Sequence, residues 1–109
     1  MGIIDDRIYK ALSVLSKNDF LPKEFIGFAN EDIDIEIFDG VFISKTSDIA
    51  KMINIALSNN TNTRNVLEIG TGSGWQTALL SQIYDRVYTI ENNKDSFTFA
   101  SNKLKKLYE

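Results

Sequence analysis

The stretch Val66-Leu67-Glu68-Ile69-Gly70-Thr71-Gly72-Ser73-Gly74-Trp75-Gln76-Thr77 places three glycines at alternate positions directly after an apolar run. The apolar run predicts a buried strand, and the residues after the glycines predict a helix. Because glycine has no side chain, such a strand–turn–helix junction lets the backbone approach a small charged ligand. A plain tight turn would need only one glycine. The stretch therefore favours a ligand site at the end of a parallel strand.

The glycine spacing distinguishes two classes of ligand. A dinucleotide fingerprint, G-x-G-x-x-G, needs glycine at position 75, where this chain has Trp75. The third glycine instead falls at Gly74, and E-x-G-x-G-x-G resembles the first motif of the Rossmann-like methyltransferases, which bind S-adenosylmethionine. Residues 86–90 predict the next strand, and Glu91 follows it directly. An acidic residue at this place accepts hydrogen bonds from ribose hydroxyls, although Glu91 as a helix cap or a solvated side chain is the alternative.

Composition excludes several kinds of function. The chain has 109 residues, a net charge of -3, and neither cysteine nor histidine. Disulfides, thiolate metal sites, cysteine nucleophiles and the commonest general base are therefore absent, and we expect no metal site. The acidic balance disfavours a nucleic-acid partner, and no apolar run is long enough to cross a membrane. With no secretory signal at the N-terminus, a cytoplasmic protein is the expectation.

The first part of the chain predicts two helices around a strand. Residues 5–16 have the spacing of an amphipathic helix, and Pro22 can open a one-turn helix. Isoleucines at positions 33, 35 and 37 alternate with acids, which predicts a strand with one buried face and a solvated acidic face, and residues 41–46 predict an extended connector. A helix capped by Ser47 or Asp48 should follow through Leu57. The residues expected to face inward on it are Ile49, Met52, Ile53 and Ala56.

The second part predicts strand 65–69, helix 74–83, strand 86–90 and helix 94–107. This βαβα order is the start of a parallel, doubly wound α/β sheet. The residues expected to pack the two helices on the sheet are Ala78, Leu79, Ile83, Phe97, Ala100, Leu104 and Leu107. Two parallel strands do not complete such a sheet, so we expect either a longer protein or completion by a second copy or a partner chain.

Four stretches together resemble the protein-L-isoaspartate O-methyltransferase family across nearly the whole chain. Residues 21–25, Leu-Pro-Lys-Glu-Phe, are similar to a family Val-Pro-Arg segment with a nearby Phe. The glycine stretch 66–77 matches the family's motif almost letter for letter, and residues 87–91 match its second strand. Upstream of them, the positions that match the family's segment before and within its serine signature are Ala29, Asp32, Ile35, Ile37, Gly40, Ile43 and Ser44.

The resemblance implies a fold, a cofactor and a substrate. The fold would be a Rossmann-like class I methyltransferase, with residues 1–63 as an N-terminal extension carrying the substrate-side loop and residues 64–109 as the first half of the cofactor domain. The activity would be carboxyl methylation of isoaspartyl residues in damaged proteins, using S-adenosylmethionine. Ser44 would be the active-site serine, with an ordinary loop serine as the alternative. The cofactor-binding residues would be Glu68, Gly70, Thr71, Gly72, Ser73, Gly74 and Glu91, although for Glu68 a purely structural role is the alternative.

The chain departs from the family at the serine signature and after its second predicted helix. Val41, Phe42, Lys45 and Thr46 replace the family's Gln, Thr, Gln and Pro, so two apolar residues stand where the family presents polar groups. We expect Phe42 and Trp75 to be packing residues. The family's later half, with its third-strand acidic residue, adenine pocket and substrate cleft, has no counterpart here.

Three functions from different classes remain open at this stage. The first is a repair methyltransferase, or the cofactor-binding half of one. The second is a non-catalytic S-adenosylmethionine-binding module. The third is an enzyme similar to tRNA adenine methyltransferases, which have a similar glycine motif, although the acidic charge counts against it.

Overall fold

A computed structural model describes residues 3–59 and 62–108 of the chain. In chain order the elements are α1 (Asp6–Val14), two 3₁₀ turns (Lys17–Phe20 and Lys23–Phe25), β1 (Ile35–Phe38), β2 (Val41–Ile43), α2 (Thr46–Asn59), β3 (Asn65–Ile69), α3 (Trp75–Ser81), β4 (Arg86–Ile90) and α4 (Lys94–Tyr108). The predicted helices and strands occur in the predicted order, with two unpredicted additions, the turn Lys17–Phe20 and the strand β2, and both strands of the second part have the predicted bounds.

The N-terminal helix α1 begins at a charged cap. The Asp5 carboxylate accepts hydrogen bonds from the Arg7 backbone N–H and guanidinium, which lowers the pKa of Asp5 to about 2. Ile8 and Ala11 are buried on one face of α1, as the amphipathic spacing predicts. The one-turn helix expected at Pro22 is present as the second 3₁₀ turn, with Pro22 as its N-cap.

A two-stranded antiparallel hairpin, β1–β2, precedes α2. Ile35 pairs with Ile43, and the predicted connector therefore contains a short strand of its own. Ile35 and Ile37 are buried as expected, whereas Ile33 lies before β1 and is 42% exposed. The prediction for Ile33 is wrong because the chain adopts the alternating extended form only from residue 35.

The acidic residues before and within β1 bind backbone amides while remaining exposed. Asp34 accepts a hydrogen bond from the Lys45 N–H, and Asp32 accepts one from the Ser47 N–H, each at 2.9 Å. Hydrogen bonds with the Ser47 side chain and backbone hold the pKa of Asp32 below its ordinary value. Helix α2 is therefore capped from outside by Asp32 and Asp34, rather than by Ser47 or Asp48 as predicted. The caps fix the hairpin to the start of α2.

The buried face of α2 is narrower than predicted. Ile49, Ile53 and Leu57 are buried, whereas Met52 is 58% exposed and Ala56 is also exposed. The inward placement of Met52 and Ala56 is wrong because the neighbouring elements cover only the i, i+4, i+8 stripe of the helix.

The parallel pair β3–β4 has two unlike faces. Its register runs from Asn65 opposite Arg86 to Ile69 opposite Ile90. We call the face carrying Val66, Glu68, Val87 and Thr89 the inner face; its four residues are buried or half-buried. The outer face carries Leu67, Ile69, Tyr88 and Ile90, which are 54–74% exposed. Strand alternation places these two sets on opposite sides.

Helices α3 and α4 join the core beside the inner face. Ala78, Leu79 and Ala100 are buried, as predicted, and Ile83 and Leu104 are partly buried. Phe97 is 58% exposed, so its predicted packing on the sheet is wrong: the face of α4 that packs is the one carrying Ala100 and Leu104, which contact the glycine turn. The side chain of Leu107 lies outside the described part.

One hydrophobic core joins the two parts of the chain. It contains Ile8 from α1, Ile43 from the hairpin, Ile53 from α2 and Leu79 from α3. Because the core is shared, the hairpin and the glycine turn are held in fixed positions relative to each other. None of the described helices is long and apolar enough to cross a membrane.

Candidate functional site

The glycine turn lies between β3 and α3 and uses left-handed backbone at all three glycines. Their φ angles are 90° at Gly70, 58° at Gly72 and 90° at Gly74. The backbone N–H groups of Gly70 and Thr71 donate to the Ile90 carbonyl, which ties the turn to the end of β4. A residue with a Cβ would be strained at each glycine position, so the alternating glycines set the shape of this turn.

The three glycines face different surroundings. A Cβ at Gly70 would meet nothing within 4 Å, and one at Gly72 would meet only the Phe42 carbonyl oxygen at 3.9 Å. A Cβ at Gly74 would lie 3.4 Å from both Ala100 and Leu104 of α4. Gly70 and Gly72 therefore leave open space beside the turn, whereas Gly74 allows α3 and α4 to pack closely.

Thr71 and Ser73, the other predicted residues of the turn, are buried and already have partners. The Thr71 hydroxyl lies 2.5 Å from the Thr89 hydroxyl of β4. The Ser73 hydroxyl accepts a hydrogen bond from the Trp75 N–H at the start of α3. Both side chains shape the turn by capping and cross-linking it.

Glu91 binds the glycine turn directly. One carboxylate oxygen accepts the Gly72 N–H at 2.8 Å, and the other accepts the Asn93 N–H, also at 2.8 Å. Asn93 immediately precedes α4 and caps it through its own side chain, which accepts the Ser96 N–H, so Glu91 holds the residue before the helix and is not itself the cap. The role of Glu91 as a ribose acceptor stays a prediction. Each carboxylate oxygen keeps a further lone pair for another donor.

Glu68 is buried on the inner face among hydroxyl groups. Its Oε1 accepts hydrogen bonds from Thr89 at 2.7 Å and from Thr77 of α3. Thr77 and Thr89 were missed in the sequence, although a simple signal existed: once β3 and β4 pair in parallel, Thr89 lies opposite Glu68. Hydroxyls at that place satisfy a buried carboxylate that an apolar strand could not.

The second carboxylate oxygen of Glu68, Oε2, is buried without a hydrogen-bond partner. Oε2 has no hydrogen-bond partner of standard geometry, although the Gln76 side chain lies close enough to favour the charged form. Burial raises the pKa of Glu68 above its ordinary value, against the opposing effect of the threonine and glutamine contacts; the Glu91 charge raises it further. An unpaired buried acceptor is costly, so Oε2 marks a place where a donor would be stabilised.

Two cavities meet at the glycine turn, and we name them after one residue each. The Ser44 cavity is lined by Ser44 together with Glu68, Gln76 and the turn residues 70–73. The Glu91 cavity is lined by Glu91 together with Asn92 and the β1–β2 turn. Residues Phe42, Gly70 and Gly72 line both. The fold therefore brings the predicted serine, both predicted carboxylates and the open side of the glycine turn together.

The two aromatic residues expected to pack behave differently. Trp75 is 2% exposed and packs against Phe20, as predicted. Phe42 is 59% exposed at the junction of the two cavities, so the packing prediction is wrong for it. The reason is strand alternation: Ile43 takes the buried position of β2, and its neighbour must face away. Within the described ranges, no cluster of three or more acidic, histidine or cysteine side chains could hold a metal ion.

Curated relatives resemble the chain over nearly its whole length. A protein-L-isoaspartate O-methyltransferase from Petrotoga mobilis is 38% identical over 97% of this chain, which corresponds to 49% of the relative. One from Vibrio campbellii is 39% identical over 97% of this chain and 50% of the relative. The chain thus spans about half the length of these relatives.

Solved structures agree on the fold. A protein-L-isoaspartate O-methyltransferase superposes with a TM-score of 0.78 at 23% identity, over 96% of this chain and 35% of the other. A second, described as a beta-aspartate methyltransferase from Plasmodium falciparum in complex with S-adenosyl-L-homocysteine, gives 0.77 at 22% identity, over 95% and 49%. The Rossmann-like fold is therefore confirmed. A family model described as Protein-L-isoaspartate(D-aspartate) O-methyltransferase (PCMT) matches residues 1–109, and the chain belongs to that family.

Proposed function

We propose that this chain forms the cofactor-binding half of an S-adenosylmethionine-dependent methyltransferase that methylates the carboxyl group of isoaspartyl residues in proteins. The observation that carries the proposal is the meeting of Ser44, Glu68 and the glycine turn in one cavity, next to Glu91. Family membership supports it, as does the S-adenosyl-L-homocysteine bound to the Plasmodium falciparum neighbour. The similarity to that neighbour supports the fold, and binding of the same ligand by this chain is part of the proposal.

The residues present fit the cofactor at three points. The open space at Gly70 and Gly72 admits a ligand against the backbone of the turn. Glu91 keeps one lone pair on each oxygen for the two ribose hydroxyls. Glu68 lines the Ser44 cavity, and its buried Oε2, which has no hydrogen-bond partner, would accept from the ammonium of the methionine part. A protonated amine there would also favour the charged form of Glu68.

The proposed chemistry is a direct displacement. When bound, S-adenosylmethionine supplies a methyl group on a positive sulfur, whose bond to carbon breaks as a substrate carboxylate oxygen bonds to that carbon. The Ser44 hydroxyl would donate a hydrogen bond that orients this carboxylate. No general base is needed because a carboxylate is already ionised near neutral pH, which suits a chain without histidine or cysteine. Positioning would supply most of the acceleration.

The outer face offers a surface for another polypeptide. It exposes four large apolar side chains on a parallel pair that has no third strand among the described residues. Such a face favours association. We propose that it is covered either by a complementing C-terminal half, as the length of the relatives allows, or by a second copy of the chain. A cytoplasmic location and a protein or peptide substrate with isoaspartyl residues belong to the same proposal.

A non-catalytic S-adenosylmethionine-binding module is the second candidate. The exposed Phe42 favours it, because an apolar ring stands where the resembled family has a polar group beside the cofactor and substrate. A function similar to that of tRNA adenine methyltransferases is less favoured, because a net charge of -3 disfavours binding to negatively charged nucleic acid.

The decisive test is transfer of labelled methyl to an isoaspartyl peptide. The assay would use the chain alone and the chain fused to the C-terminal half of the Petrotoga mobilis relative. We expect turnover from the fusion, and a rate at least about 100-fold lower from the chain alone, since loose positioning costs on that order. In the fusion, Ser44→Ala should lower the rate strongly, whereas the control Ser58→Ala, on the exposed side of α2, should not.

The other outcomes separate the candidates. A fusion that binds S-adenosylhomocysteine without transferring methyl would favour the binding module. Robust turnover by a monomeric chain, lost in Ser44→Ala, would contradict the need for a second half.

A further inference from the structure

Phe42 has a position that neither its size nor its hydrophobicity explains. It is the central residue of β2, and its neighbour Ile43 is buried in the core. Alternation turns Phe42 away from that core, and the side chain is 59% exposed. A single exposed apolar residue is ordinary. This one, however, lines both the Ser44 cavity and the Glu91 cavity.

The two cavities offer different chemistry to a ligand that occupies both. On one side stand the Glu68 carboxylate and Ser44, which suit an amino-acid group. On the other stands Glu91, which suits a ribose. Phe42, Gly70 and Gly72 are the residues common to both cavities. Of these three, only Phe42 has a side chain, so an aromatic residue borders both cavities. Its backbone carbonyl oxygen lies 3.9 Å from where a Cβ at Gly72 would be, and the ring extends from the same residue.

In S-adenosylmethionine the positive sulfur joins the amino-acid part to the ribose part. A ligand placed with one part in each cavity therefore has its charge at the junction. The face of an aromatic ring attracts a cation through its quadrupole. We propose that Phe42 is a specificity-determining residue, whose ring favours the positively charged S-adenosylmethionine over its neutral product S-adenosylhomocysteine. This inference rests on the proposed function, and it would ease product release after methyl transfer.

A carboxylate near the same place offers a competing explanation. Glu36 lies opposite Phe42 in the hairpin, and its carboxylate accepts the Gly40 N–H at 2.9 Å. Glu91 lines the cavity on the far side. Either negative charge would also favour a cationic ligand, so the experiment must separate the ring from the charges.

The test measures dissociation constants of S-adenosylmethionine and S-adenosylhomocysteine by calorimetry or amide NMR on the 109-residue chain. The variants are Phe42→Leu, which keeps apolar bulk but removes the ring, and Glu36→Gln, which removes the carboxylate paired across the hairpin from Phe42. Phe97→Leu is the matched control, because Phe97 is exposed to the same degree but lines neither cavity. We expect Phe42→Leu to weaken S-adenosylmethionine about two- to fivefold and to leave S-adenosylhomocysteine unchanged.

Each other outcome contradicts the inference in a distinct way. An equal loss of affinity for both ligands in Phe42→Leu would show that the ring contributes only apolar packing. An unchanged preference in Phe42→Leu together with a lost preference in Glu36→Gln would assign the effect to charge. Binding of neither ligand by the unaltered chain would overturn the proposed function itself, and this inference with it.

Discussion

The two faces of the β3–β4 sheet reverse the usual distribution of polar and apolar residues. The inner face buries Glu68 and half-buries Thr89 beside α3, whereas the outer face exposes Leu67 and Ile69. A buried carboxylate is costly and an exposed apolar face promotes association. Under the proposed function, this difference assigns the inner face to a ligand and the outer face to another polypeptide surface.

The largest expected effect is the loss of ligand binding at the glycine turn in Gly72→Val. Gly72 has a φ of 58°, where a β-branched residue is strongly disfavoured, and its N–H is held by Glu91. Displacing this backbone should weaken S-adenosylhomocysteine binding by more than about 100-fold, combining steric obstruction with backbone strain of about 1–3 kcal/mol. Calorimetry would measure it. Gly27→Val is the control, because Gly27 also has positive φ but lines neither cavity; equal losses in both variants would indicate general misfolding.

Glu91→Ala should have the next largest effect. Removing the carboxylate takes away the proposed ribose acceptor and the partner of the Gly72 N–H. We expect cofactor affinity to fall by about 1.5–3 kcal/mol, the scale for hydrogen bonds to a charged group. Melting curves with and without ligand would report the loss. If affinity is unchanged while the melting temperature falls, Glu91 only joins the glycine turn to the residue before α4.

On the outer face, Ile69→Lys should reduce association and leave the ligand site intact. Ile69 is 74% exposed, so the substitution removes an apolar contact from an interface and not from the core. The self-association free energy, or that with a complementing half, should weaken by about 1.5 kcal/mol or more, since burying one isoleucine contributes that much. Light scattering would measure the species present. If the unaltered chain is monomeric and does not bind a complementing half, the role proposed for this face is contradicted.

The smallest expected effect is on stability, through Glu68→Gln. Burial raises the pKa of Glu68 in the folded chain, so its contribution to stability is greatest below its unfolded pKa and is lost as pH rises through the folded value. The glutamine variant should lack this pH dependence and should be more stable at neutral pH by about 1 kcal/mol. It should also bind S-adenosylmethionine less well. Denaturant titrations at several pH values would test it; parallel curves for both proteins would show that Glu68 does not titrate in this range.

Much of the candidate site at the glycine turn could be predicted from local sequence. The alternate glycines, the strand before them and Glu91 lie within one βαβ unit, so their spacing fixes their geometry. Ser44 came only from the family resemblance, and its place beside Glu68 depends on long-range contacts: Asp32 and Asp34 fix the hairpin to α2.

The misplaced helix residues share one physical cause. Met52 and Phe97 are apolar and lie within reach of a plausible buried stripe, but which side of a helix is covered depends on its neighbours. Periodicity identifies a helix and its approximate face, and packing sets the width of that face. Thr77 and Thr89 illustrate the same limit, because their partner Glu68 becomes apparent only when the strands are paired.

The most direct test of the central claim is an amide NMR titration of the chain with S-adenosylhomocysteine and, separately, with NAD. The account predicts that S-adenosylhomocysteine shifts the amides of Gly70, Gly72 and Glu91, together with that of Ser44 across the cavity, and that NAD shifts none of them. Shifts at the glycine turn caused by NAD alone, with no response to S-adenosylhomocysteine, would contradict it.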